Sequence, residues 1–154
     1  MDGAVSEFVE KIGRYFEQQG LARSTGRVLG LLMLADEPLS LDTISQRLDI
    51  SKASVSLGTR VLEAGQMVDR VTKRGDRRTY YQLAVEAWPR LFRQKNKTMN
   101  YLADLAAEGR RLVDGDSKAA VRLQLMEDFT RYLGDELDKA LSQWPERQRA
   151  KERG

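Results

Sequence analysis

The sequence predicts a mainly helical protein with one small β-hairpin, an α+β chain. Three observations predict it. Apolar residues recur at helical spacing along most of the chain, with Val5, Phe8, Ile12, Tyr15 and Phe16 as the first set and Val121, Leu125, Phe129, Leu133, Leu137 and Leu141 as the last. Between residues 67 and 83 the residues become β-prone instead, around a Gly-Asp turn at Gly75-Asp76. Serines stand where helices should start, at Ser24, Ser40, Ser51 and Ser117, and glycines where they should stop, at Gly20 and Gly65.

The elements follow in order. Residues 5–18 form a first helix. Ser24 caps a second, which reaches about residue 35 and holds Val28, Leu31, Leu32 and Leu34, so it should be the most buried; Asp36-Glu37-Pro38 breaks it. Ser40 caps a short third helix that ends near Leu48, with Ile44 and Leu48 four apart on one face. Asp49-Ile50 makes a tight connection, and Ser51 caps a fourth helix over residues 52–64. Strands 67–72 and 79–83 make the hairpin. A long helix opens at Trp88-Pro89 and reaches about residue 113, Asp114-Gly115-Asp116 interrupts it, and a last helix runs from Ser117 to about residue 144. The charged remainder is expected to fray.

Composition narrows the function classes. The 154 residues suffice for one substantial core, and 41% hydrophobic with 32% charged residues describes a globular chain. The longest apolar run, residues 28–35, is far short of a membrane span, and acidic Asp2 and Glu7 stand where a secretory leader would be basic. No membrane association and a cytoplasmic home are expected. Cysteine and histidine are both absent, which removes disulfides, thiol nucleophiles, His-based acid–base pairs and ordinary zinc sites. No cofactor or metal is expected, and no catalytic constellation or phosphate-binding glycine loop supports an enzyme. Gly26 and Gly30, four apart, suggest close helix packing.

The net charge is only +3, but it is unevenly spread. Residues 1–46 carry four basic and seven acidic groups, whereas residues 47–80 carry eight basic and four acidic ones. A local basic surface suits a polyanion. The order helix, helix, turn, helix, hairpin is that of a winged helix-turn-helix, whose fourth helix here would be the recognition helix. At about 100° per residue, Val55, Thr59 and Leu62 share its core face. Lys52, Ala53, Ser56, Leu57 and Arg60 lie on the other side. Small residues allow close approach to a major groove, Ser51, Ser54 and Ser56 can bond phosphates or base edges, Arg60 can reach guanine or phosphate, and Leu57 can touch a thymine methyl. Lys73, Arg74, Arg77 and Arg78 crowd the hairpin tip, where a wing can enter a narrow minor groove. Asp76, the one acid there, can hold a neighbouring arginine in one direction.

These residues resemble the MarR superfamily, specifically its GbsR-like branch. The resemblance lies in Gly20-Leu21-Ala22-Arg23-Ser24-Thr25-Gly26-Arg27, Glu37-Pro38-Leu39-Ser40-Leu41, Ser51-Lys52-Ala53-Ser54-Val55-Ser56, Gly75-Asp76-Arg77-Arg78 and Tyr80-Tyr81. It implies a winged-helix homodimer, usually a repressor on a palindromic operator of double-stranded DNA, often released by a small molecule. It places Arg78 on the superfamily's minor-groove arginine, and it puts Ser51, Lys52, Ser54 and Ser56 on the recognition helix; Ser40 belongs to the same DNA-binding set. Two departures are Ala64-Gly65-Gln66 at the recognition-helix end and Thr59 in place of a common leucine.

The expected organisation is a DNA-binding region over residues 20–84, a helical dimerisation region over 1–19 and 85–146, and a flexible tail over 147–154. The long helices carry apolar stripes that one small domain would struggle to cover, which favours a homodimer. Tyr15, Trp88 and Phe92 are candidates for an effector site, where an aromatic cage would suit a quaternary ammonium compound; the plainer reading makes them core and interface residues. The competing function is a winged-helix protein-interaction module that does not bind DNA.

Overall fold

A computed structural model describes residues 2–152. The elements are α1 (Gly3–Gln18), α2 (Arg23–Met33), β1 (Leu39–Ser40), α3 (Leu41–Leu48), α4 (Lys52–Ala64), β2 (Val68–Thr72), β3 (Thr79–Leu83), α5 (Ala87–Arg110) and α6 (Lys118–Glu152). They fall into two compact units, Met1–Trp88 and Pro89–Gly154. α1 packs on α2 within the first.

In that unit α1 and α2 meet backbone to backbone. A methyl group at Gly26 would lie 2.6 Å from the Ile12 carbonyl oxygen and 2.8 Å from Phe16 Cβ, and one at Gly30 would lie 3.2 Å from Val9 Cα. The close packing read from Gly26 and Gly30 is therefore present. Glu10 of α1 clamps the pair from outside, accepting a 2.6 Å hydrogen bond from Arg23 Nη2. The core continues through Val28, Leu29 and Leu32 of α2 to Ile44 and Leu48 of α3 and Val55 and Leu62 of α4, all buried. Burying each such side chain contributes about 1.5–3 kcal/mol.

Ser40 and Ser51 cap α3 and α4 as expected, accepting 3.1 Å hydrogen bonds from the backbone N–H groups of Thr43 and Ser54. Ser24 does not cap α2. That helix starts two residues earlier than such a cap would set it, after Ala22, and has no side-chain cap. The turn between α3 and α4 needs Asp49 in the left-handed region, at φ 51°. Ser45 Oγ secures it by donating to the Ile50 carbonyl at 2.6 Å. α4 ends in a Schellman arrangement: Met67 N–H bonds the Leu62 carbonyl and Gln66 N–H the Glu63 carbonyl, both at 2.9 Å. The left-handed residue is Gln66, at φ 56°, and not Gly65, whose φ is −77°.

The sheet has the order β1-β3-β2 and is antiparallel. Two-residue β1 escapes a sequence reading because no periodicity can show in so short a run; it exists by pairing Leu39 with Tyr81 and Ser40 with Tyr80.

The second unit is a helical hairpin. Asn96 Nδ2 donates to the Gly134 carbonyl at 3.1 Å and to Asp138 Oδ1 at 2.6 Å, Arg131 pairs with Asp104 at 3.0 Å, and Arg110 with Glu127 at 3.5 Å. These pairings run in opposite directions along α5 and α6. The buried residues are small or polar, namely Ala103, Ala106, Ala120, Asn96 and Thr130, whereas Val121, Leu125, Phe129 and Leu133 are exposed. The first four members of the apolar repeat thus lie outside the hairpin's own core, while Leu137 and Leu141 are half-buried. α6 continues through Pro145 to Glu152, beyond the end expected near residue 144. The segment after Pro145 is rich in Glu, Arg, Gln, Ala and Lys, all good helix formers. Part of the expected tail, residues 153 and 154, lies outside the described residues. Among the described residues no helix is long and apolar enough to cross a membrane.

Two substitutions test this packing in opposite directions. Gly26→Ala forces a methyl into the α1–α2 contact and should cost about 1–3 kcal/mol, seen as an earlier urea midpoint. Gln66→Gly relieves a left-handed side chain that costs roughly 1–2 kcal/mol, partly offset by the freer unfolded chain, and should move the midpoint later.

Candidate nucleic-acid interface

α4 divides as its sequence spacing requires. Val55, Thr59 and Leu62 are 0%, 1% and 2% exposed, and Gly58 lets the helix approach α2, where a methyl would lie 3.3 Å from Thr25 Cα. The opposite face is open: Ser51, Lys52, Ala53, Leu57 and Arg60 are exposed, with Ser54 and Ser56 half-buried beside them. Leu57, large and apolar, is 58% exposed, and Val61 one turn on extends the same stripe, a residue the sequence reading passed over. A lone exposed leucine is ordinary, but Leu57 and Val61 together make a small apolar strip on the open face.

Ser40 is the exception among the expected contacts. It is 2% exposed, with its hydroxyl engaged as the α3 cap and its backbone in the sheet. Its place in the binding set is corrected: it shapes the surface from beneath. Ser51 also serves as a cap, and its hydroxyl lies 2.9 Å from that of Ser54, but it remains exposed.

The hairpin tip turns at Lys73-Arg74-Gly75-Asp76, closed by Asp76 N–H to the Lys73 carbonyl at 3.0 Å. Gly75 takes φ 82° at the position where a type II turn favours glycine. Lys73, Arg74, Arg77 and Arg78 are all exposed around it. Asp76 does hold one of them: it accepts hydrogen bonds from Arg78 Nη2 at 2.6 Å, from Arg78 Nε at 3.0 Å and from the Arg78 backbone at 2.9 Å. Tyr80 Oη adds a fourth at 2.7 Å. These bonds, the Arg78 side chain's foremost, hold the Asp76 carboxyl far below the usual carboxylate range, so the pair stays charged at neutral pH. Lys73 Nζ lies 4.5 Å from the centre of the Tyr80 ring.

Two further ion pairs organise the surface. Arg70 of β2 grips Glu63 of α4 through Nε at 3.0 Å and Nη2 at 3.2 Å, tying the base of the hairpin to α4. Lys52, the first cation of α4, is held at 2.6 Å by Asp42 of α3. Asp42 also lies close enough to Arg78 to stabilise its charge. The sequence reading gives neither residue this role: Asp42 acts across from α3 to α4, and Tyr80 stands out only in the resemblance, its hydroxyl bond to Asp76 showing only in the folded hairpin. Among the described residues no group of acids could hold a metal ion.

The aromatic candidates are placed less usefully. Tyr15, Trp88 and Phe92 are 55%, 44% and 44% exposed, so none is a core filler of its own unit.

The HTH-type transcriptional regulator MmpR5 of Mycobacterium tuberculosis is 34% identical over 145 residues, covering 93% of this chain and 88% of its own. The chain belongs to the MmpR5-like MarR family. The profile described as "MmpR5-like MarR family transcriptional regulator" matches residues 86–148, the helical hairpin and not the wing. A crystal structure titled as a transcriptional regulator superposes with a TM-score of 0.81 at 32% identity, covering 93% of this chain and 99% of that one. The HTH-type transcriptional repressor OpcR of Bacillus subtilis is 25% identical over 83 residues, 54% of this chain and 45% of its own. This MarR-family chain is a winged helix-turn-helix DNA-binding transcriptional regulator and not an enzyme.

The Asp42–Lys52 pair has a measurable consequence. Lys52 must leave Asp42 before it can meet a phosphate. Asp42→Asn should tighten binding to a random duplex at low ionic strength by about 0.2–1 kcal/mol per subunit, the range of exposed pairs. Lys52→Ala should cancel that gain in fluorescence-anisotropy titrations. An equal gain with and without Lys52 would assign the effect to net charge alone.

Proposed function

We propose that this regulator is a homodimeric repressor of a palindromic operator. α4 of each subunit enters the major groove, Arg78 of each wing enters the flanking minor groove, and a small molecule releases the complex. The observation that carries the DNA geometry is the open face of α4, Lys52, Ala53, Leu57 and Arg60, set opposite a fully buried one. In this reading residues 20–84 bind DNA, and residues 1–19 with 85–146 hold the subunits together.

Dimerisation is supported by the second unit. Val121, Leu125, Phe129 and Leu133 form an exposed stripe on α6, with Tyr101, Leu102 and Leu105 exposed on α5. A contiguous apolar surface of this kind marks an association site, and two-fold symmetry matches a palindrome with half-sites about 34–36 Å apart. The repressor sign follows the name of the Bacillus subtilis relative. Exposed Tyr15, Trp88 and Phe92 support an effector that stacks on aromatic rings. The GbsR-like placement rests on the sequence blocks of the helix-turn-helix.

Light scattering at micromolar concentration should give twice the 17.5 kDa chain mass. Leu125→Asp with Phe129→Asp should shift it to one chain mass and weaken binding to a palindromic duplex far more than to a half-site. A double variant that stays dimeric would move the interface elsewhere.

A further inference from the structure

We infer that Tyr80 is a positioning residue for DNA binding: its hydroxyl anchors Asp76, and Asp76 in turn sets the direction of Arg78. The inference rests on the reading of Arg78 as the wing's DNA contact.

The geometry is a relay from a fixed point to a mobile one. Tyr80 sits in β3, the central strand, paired with Ser40 of β1 on one side and Val71 of β2 on the other. Ser40 is also the cap of α3, so the Tyr80 backbone is fixed to the helix-turn-helix itself. The residue is 8% exposed. Asp76, by contrast, lies in the turn, where its backbone N–H bonds the Lys73 carbonyl. Its bonds to Arg78 are local, two residues apart, and would travel with the tip if the tip swung. The 2.7 Å bond from Tyr80 Oη to Asp76 Oδ2 links that local ring to the sheet.

The Tyr80 ring adds a second restraint. Arg78 Cζ lies 5.6 Å from its centre and Lys73 Nζ 4.5 Å, both within cation–π reach. Arginine is long and loses much rotamer freedom when held by DNA. One already held by a bidentate carboxylate, with that carboxylate tied to the sheet, has lost part of that freedom before binding. The hydroxyl therefore matters for the complex in which Arg78 has one defined place, and little for loose electrostatic binding, where any cation position serves.

The test compares the full-length wild type with Tyr80→Phe, Asp76→Asn, Arg78→Ala and the Tyr80→Phe/Arg78→Ala double variant. The probes are a duplex recovered by selection with the wild-type protein from a random library, and a random duplex of the same length. Tyr80→Phe keeps the ring, and a thermal midpoint checks that the sheet is intact. Tyr80→Phe and Asp76→Asn should each weaken the selected duplex by about 3–10-fold, as for one lost hydrogen bond. The random duplex should change less, and Tyr80→Phe should add nothing once Arg78 is alanine. An unchanged Tyr80→Phe beside a weakened Arg78→Ala overturns the inference alone. So does an equal Tyr80→Phe loss with and without Arg78. An unchanged Arg78→Ala overturns the wing reading and the inference with it.

Discussion

Arg27 stands where three helices meet, and the DNA-facing surface depends on how it holds them. Its Nη2 donates to the Leu48 carbonyl at 2.7 Å, at the C-terminus of α3. Its Nε lies 2.6 Å from Glu10 Oε1 of α1, too oblique for a hydrogen bond but close enough for strong attraction. A cation at a helix C-terminus meets the negative end of the helix dipole. The single side chain thus fixes α3 against α2 and α2 against α1. α4 begins only four residues after Leu48, through a left-handed Asp49, so its direction follows that of α3. Gly13 leaves room for the Arg27 stem on its way to Glu10, since a methyl there would lie 2.8 Å from Arg27 Cγ.

Much of this was legible in the chain because it is local. A serine cap bonds a backbone N–H three residues on, so Ser40 and Ser51 announce α3 and α4 without tertiary help. The core face of α4 follows from its spacing, and the wing from a Gly-Asp turn among cations. What was hidden depends on partners distant in sequence. β1 exists only through a strand some 40 residues later. Ser24 had the right chemistry for a cap, but the helix starts before it, so its hydroxyl is already inside the first turn. Ser40 reads as a surface serine until the sheet is seen to cover it. Asp42 looks ordinary until the fold sets it beside Lys52, and the Tyr80–Asp76 bond, though only four residues apart, shows only once the hairpin is folded.

The second unit explains why a helical period alone misleads about burial. The repeat from Val121 to Leu133 has the spacing of a core face, yet α5 packs on the neighbouring face, built from Ala120, Thr130 and Gly134. There a methyl on Gly134 would lie 2.7 Å from Asn100 Oδ1, so small residues and amides bring the two helices close. Helices that meet through small residues leave their large side chains for something else. A lone hairpin with an alanine-lined seam buries little apolar area, and most helical stability in proteins comes from tertiary packing. A second copy laid on the stripe would supply what the hairpin lacks, which makes folding of this unit and association one problem under the proposed dimer.

In the free protein several cations in and around the proposed binding surface are already engaged. Lys52 is with Asp42, Arg78 with Asp76 and Arg70 with Glu63, and Arg60 Nη2 leans on Ser56 Oγ at 3.3 Å. Such pairs are exposed and each contributes little to stability. Their larger effect is on the salt dependence of binding, which counts phosphates neutralised and not cations available. A cation that trades an internal carboxylate for a phosphate leaves the carboxylate behind, beside the DNA, to be solvated or repelled. The net attraction to random DNA is therefore smaller than the basic count of residues 47–80 suggests. The uncharged residues proposed to meet DNA from α4, Ala53, Ser54 and Leu57, are untouched by this competition. On the proposed surface the internal acids thus tilt the balance of binding from charge toward shape and base contact, the terms that distinguish one sequence from another.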